Sequence, residues 1–230
     1  MTSAMYTHSV PVFKQMLTAL KTILAQASEH AAAKSIEPDA FLQARLAPDM
    51  FPLLKQVQIA ADFSRGIAAR LAGVDVPKFD GQEKSFADLD ALLAQTLAFL
   101  DSMSAAQFEG KEGFEIVLRP GTPKEKKLNG QAYLANYGLP QFFFHVTTAY
   151  DILRHNGLPI GKRDFMGAYR PGPVLRDASR SVALGLATFG AAKNRDRGRT
   201  PIALHWLAAA HQPAGGWAGQ EVAACASPIA

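Results

Sequence analysis

The sequence predicts an all-α fold: four long helices in a bundle, with a small β-hairpin inserted between the third and the fourth. Three observations carry this. Four long segments repeat apolar residues every three or four positions, which gathers them on one helical face. One short stretch, Phe114–Leu118, alternates at strand spacing instead and runs into the turn signal Arg119-Pro120-Gly121-Thr122-Pro123. The composition, 48% hydrophobic and 19% charged, is that of a globular chain with material for a core.

Each element has its own signal. In the first helix Val10 follows Ser9, and Pro11 lies in the first turn, where a missing N–H costs nothing. Phe13, Met16, Leu17, Leu20, Ile23, Leu24 and Ala27 form its stripe, which is expected to fray near His30. A short helix is expected at about Phe41–Leu46. The second long helix is expected to open at Pro48, with Met50, Leu53, Leu54, Val57, Ala60, Ala61, Ala68 and Leu71 on its apolar face. Gly66 lies inside it. A mid-helix glycine costs about 1 kcal/mol relative to alanine, so close packing is the expected reason for it. Gly73 ends the helix, and Val74–Lys84 is a loop with a turn at Asp80-Gly81. Ser85 and Asp88 form a capping box ahead of the third helix, whose face is Phe86, Leu89, Leu92, Leu93, Leu97 and Leu100.

The hairpin returns through Lys124–Leu128, and the fourth helical region starts at Asn129 or Gly130. Pro140 removes a backbone donor and clashes one turn back, so a kink or break is expected near Gly138, with the main segment over Leu139–His155. Phe142-Phe143-Phe144 reads as core, and Gly157 with Pro159 stops the helix.

Charge divides the chain. Residues 1–167 hold 17 basic and 17 acidic side chains, and the whole +4 comes from residues 168–230 with 7 and 3. A neutral body carries no footprint for a phosphate backbone, so nucleic acid is not an expected partner. The single cysteine, Cys225, cannot form an internal disulfide. With no apolar run of membrane length and no secretory pattern at the start, a cytoplasmic location is expected. After Gly167 lysine gives way to arginine and alanine rises, and Trp206 and Trp217 both lie there. Residues 1–167 are therefore expected to form the bundle. The stretch 168–230 is expected to stand outside it, as a shifted-frame or read-through product or as a basic extension toward an acidic partner or membrane surface.

HSVPVFKQML at the start, LAPDMFPLLKQVQIAADF in the second helix and FFFHVTTAYDILRHNGLPIGKRDF at the end resemble a bacterial domain-of-unknown-function family, number nineteen-ninety-three. That family is grouped with the DinB/YfiT-like four-helix bundles, and the resemblance spans about residues 5–167. It implies the fold but no activity. The wider superfamily it implies includes metal-dependent enzymes, whose metal is held by three histidines. One lies on the second helix, and two lie on the last as H-x-x-x-H. This second helix has no histidine, and His145 on the last has Gln141 four before and Ala149 four after. Two of the three ligands are therefore missing, and no firm metal or other cofactor is expected.

His145 is the leading candidate site residue. It lies mid-helix among aromatics, either as a metal ligand or general base, or as a core histidine satisfied by a hydroxyl or carbonyl. His8, just ahead of the first helix, is the second candidate ligand. His155, in a last helical turn, reads as a cap. Gly157–Lys162 mimics a phosphate loop, but it lacks one spacer residue, has Arg163 for the Ser/Thr and follows a helix. Lys162, Arg163 and Asp164 read as a local salt-bridged loop. The expected function is non-catalytic binding of a small molecule or partner, with a homodimer compatible. The alternative is a diverged metal-dependent enzyme with a reduced site, a divalent cation at His145.

Overall fold

The computed structural model describes residues 3–169, and the expectations for 168–230 fall almost wholly outside that range. In order, the helices are α1 (Ala4–Thr7), α2 (Val10–Lys34), α3 (Pro38–Leu42), α4 (Leu53–Ala72), α5 (Phe86–Asp101), α6 (Gly130–Ala132), α7 (Leu139–His155) and α8 (Lys162–Met166). A 3₁₀ turn spans Ala105–Phe108, and a π-helical turn, Tyr133–Gly138, joins α6 to α7. Strands β1 (Glu115–Leu118) and β2 (Lys126–Asn129) pair antiparallel, Ile116 opposite Leu128. The all-α bundle with an inserted hairpin is thus what the chain forms.

α2, α4, α5 and α7 are the four bundle helices. α2 and α4 each pack against both α5 and α7, so they sit diagonally across the core. Their stripes meet there. Phe13 of α2 meets Phe142 of α7 edge-on with ring centroids 4.8 Å apart, and both are fully buried. Burial of such side chains is worth about 1.5–3 kcal/mol each, and it is this, more than helix propensity, that holds the helices. Lys14–Asp101 and Lys21–Asp90 bridge α2 to α5 at the half-exposed surface, where ion pairs contribute little.

Several local expectations are corrected. α2 does not fray at His30 but runs to Lys34, because Ala27 and Ala31 continue the buried stripe; Ser35 then closes it at φ 52°. The short helix is Pro38–Leu42, ending four residues early. The second long helix opens at Leu53 rather than Pro48, since Pro52 holds extended backbone at its cap. Phe142 is buried, but Phe143 is only half-buried and Phe144 is 55% exposed. Successive helical residues turn about 100°, so three in a row cannot share one core face. Lys162–Asp164 is not a salt-bridged loop. Those residues open α8, where Asp164 accepts the Gly161 N–H at 2.7 Å, and Gln15 of α2 holds the far end by donating to the Met166 carbonyl at 2.8 Å.

The break expected at Gly138 takes another form. The chain does not break; it widens into the π turn before Pro140 enters α7. Proline cannot donate back to the preceding turn, and a wider turn absorbs the missing bond. Gly138 makes the close approach to α4 workable, since a Cβ there would lie 2.9 Å from Ile67 Cδ1. The Ser85–Asp88 capping box forms as read, with the Asp88 N–H donating to Ser85 Oγ at 3.1 Å.

Candidate functional site

Two neighbouring regions along α4 carry the polar groups of interest, one facing α7 and the other facing the π turn and the end of β1. In the first, His145 of α7 is 8% exposed and faces Gln56 of α4, which is 1% exposed. Gln56 Nε2 donates to the Phe51 carbonyl at 3.0 Å, which fixes the amide so that its Oε1 points at the imidazole. His145 Nδ1 lies 2.7 Å from that oxygen, so the ring proton sits on Nδ1 and donates. Phe63 stacks on the ring at 5.7 Å, and Phe144 meets it edge-on at 5.2 Å. Burial alone holds the His145 pKa below its ordinary value, so the ring is neutral near pH 7.

This geometry uses one candidate and not the other. His145 is in place on the face opposite the second helix, where Gln56 supplies a neutral oxygen. His8 stands exposed beyond the end of α1, outside this arrangement. His155 is exposed at the end of α7, whose final carbonyls are capped by the Asn156 and Gly157 amides. Among the described residues, no group of three or more His, Cys, Asp or Glu side chains comes together as metal ligands would.

The second region is a cleft of about 300 Å³, at the lower end of small-ligand pockets. Ile59, Phe63 and Leu118 form its apolar walls, and Asp62, Arg70 and Arg119 are its charged groups. Tyr133 and Tyr137, both on the π turn, complete it, their rings stacked at 5.9 Å. Tyr137 meets Phe63 edge-on at 6.2 Å, so the two regions share the Phe63 ring. Arg70 Nη1 donates to the Gly66 carbonyl at 2.9 Å and reaches the Tyr133 hydroxyl at 3.4 Å. Burial pushes the Tyr133 phenol above its ordinary pKa against the pull of Arg70, so it remains a neutral hydroxyl. Asp62 is held by Arg65, which is 2% exposed, donates to Thr96 Oγ1 at 3.2 Å and lies 3.6 Å over the Phe79 ring. Arg119, just past β1, holds φ 51°, a left-handed backbone that costs a non-glycine residue about 1–2 kcal/mol.

A larger hollow of about 540 Å³ lies between the 74–84 loop and α5. Its lining is mostly charges and amides, Lys78, Asp80, Gln82, Glu83, Asp88 and Gln95, around Phe79, Ala91 and Leu92.

The sequence reading missed the cleft. Ile59, Asp62, Gly66 and Arg70 lie three or four residues apart along one line of α4, and Tyr133 and Tyr137 are four apart, so the spacing was there to see. Gln56 also carried a signal, as a polar residue inside the apolar stripe between Leu53 and Val57.

The four-helix bundle with its inserted hairpin is the DinB-like fold. The chain matches the family described as Domain of unknown function (DUF1993) over residues 5–166, and it belongs to that family. A crystal structure of a DinB family member from Shewanella denitrificans is similar, with 37% identity and a TM-score of 0.68, covering 73% of this chain and 95% of that one. No curated protein matches the chain. No helix among the described residues is long and apolar enough to cross a membrane.

Proposed function

We propose that this DinB-like bundle binds a small molecule in the cleft beside the π turn. The observation that carries the reading is the convergence there of two arginines and two tyrosines on apolar walls, next to a helical irregularity. π turns recur at functional sites, and pockets that bind small molecules combine apolar walls with a few placed polar groups. A crystallographic fragment screen with anionic, cationic and neutral aromatic compounds tests it. Density against Tyr137 and Arg70 is expected. Fragments that settle only elsewhere, or nowhere, contradict the reading.

A second reading keeps one observation. Gln56 holds the proton on Nδ1 of His145, which leaves Nε2 with its lone pair, as second-shell partners do for metal-bound histidines. This would be the reduced site of a diverged metal-dependent enzyme. Elemental analysis of the purified protein decides it: one tightly held divalent metal per chain, lost in His145→Ala, would favour this reading over the first.

A further inference from the structure

Arg70 and Arg119 are the unmatched charges of the cleft. Neither is in an ion pair among the described residues, whereas Asp62, the acidic member of the lining, is engaged by Arg65. With Asp62 taken up by Arg65, the two guanidiniums set the charge of the lining. A guanidinium presents a planar fork of donors that fits a carboxylate. The Tyr133 hydroxyl, already close to Arg70, adds a further polar group. Phe63 and Tyr137 add aromatic rings to the same lining, which favours a planar apolar body.

Gly66 adds an independent observation. A Cβ built there would lie 2.5 Å from Arg70 Nη1, and its other near neighbour is Arg70 Cζ. The sequence suggested that this glycine allows helices to pack closely, but the group in the space is the guanidinium of its own helix. The chain therefore carries a residue that weakens α4 by about 1 kcal/mol at the place where alanine would displace Arg70. The left-handed backbone of Arg119 is a second local cost, on the other arginine of the cleft.

We infer that the cleft takes an aromatic monocarboxylate, its carboxylate paired with Arg70 and Arg119 and its ring held by Phe63 and Tyr137, and that Gly66 is the residue that positions Arg70 for it. The inference rests on the reading of the cleft as a ligand site. The ring walls favour an organic acid over phosphate, since they give a bare inorganic anion nothing to bury.

Isothermal titration calorimetry on the full-length protein tests it. The probes are benzoate, phenylacetate, 4-hydroxyphenylacetate and indole-3-acetate, the neutral amide of each, and inorganic phosphate. At least one acid should bind saturably at one per chain. Its amide and phosphate should bind about tenfold more weakly or worse, the scale of one charge-assisted hydrogen bond. Arg119→Gln and Gly66→Ala should each narrow the acid-to-amide ratio by about tenfold, while Gly66→Ala keeps or raises the melting temperature. A structural role for Gly66 would lower the melting temperature and leave that ratio alone, which would overturn the positioning claim. Phosphate binding more tightly than every acid, or amides binding as well as their acids, would overturn the carboxylate class while leaving the cleft a ligand site. If no acid binds, the inference fails outright, and the fragment screen then shows separately whether the cleft reading fails with it.

Discussion

The two regions along α4 share the Phe63 ring yet solve opposite problems. Around His145 the Gln56 amide and the imidazole Nδ1 are closed on each other: Gln56 spends its amide nitrogen on the Phe51 carbonyl and its oxygen on the imidazole. Around the π turn they are left open, since Arg119 is exposed and Arg70 touches only a backbone carbonyl and a phenol. A buried polar pair with partners contributes stability and specifies how two helices meet. Convergent charges without partners contribute little to stability and are available to a ligand. The single histidine that attracts attention in the sequence thus sits in the better satisfied region, and the residues it draws attention away from form the open one.

This contrast can be broken by substitution. The reference point for a purely structural side chain is Phe142. It is fully buried against Phe13, and Phe142→Ala should cost about 3–5 kcal/mol in denaturant unfolding. Phe144→Ala, two positions on and more than half exposed, should stay within about 0.5 kcal/mol. Equal losses would mean that the helix is rotated from its described face.

Next in size is the closed pair. Gln56→Leu leaves the His145 Nδ1–H buried without an acceptor, and it should cost about 1–3 kcal/mol by the same measurement. A loss comparable to that of a surface substitution would show that the pair is not closed as described.

The closed pair also has a pH signature. His145 is held below histidine's ordinary value of about 6.5 by burial alone, so the unfolded chain binds its proton first on acidification. Its stabilising contribution is complete above about pH 6.5 and is lost as pH falls below that. The wild type should therefore lose more stability between about pH 7 and pH 5 than His145→Gln, whose amide can still donate to Gln56. Parallel pH curves for the two proteins would contradict a buried, neutral imidazole.

The smallest effects on stability belong to the open region. Arg119→Gln should change it by no more than about 0.5 kcal/mol, because no ion pair of Arg119 is lost among the described residues. A loss of more than about 1 kcal/mol would place Arg119 among the structural groups.

How much of this was legible in the sequence follows from periodicity. The stripes of α2, α4 and α5 and the span Leu139–His155 could be read because burial repeats with the helical turn. The run Phe142–Phe144 was misread as core because composition was allowed to override that same period. The extra length of α2 was hidden by alanines, which pack in a stripe without the bulk that marks one. Gln56 opposite His145 and the meeting of Arg70 with Tyr133 are contacts 89 and 63 residues apart in sequence, so spacing along one helix cannot show them. Pro140 announced a disturbance, but whether the chain breaks or widens depends on what α4 presents to Gly138.

On the proposed reading, ligand chemistry belongs to the π-turn cleft and structural pairing to His145. Amide NMR of the full-length protein during titration with the aromatic acids separates the two regions. Shifts concentrated at Arg70, Arg119 and Tyr133–Gly138, with Gln56 and His145 unmoved, are the predicted result. Shifts concentrated at Phe51, Gln56, Phe144 and His145, with the π turn silent, would contradict it.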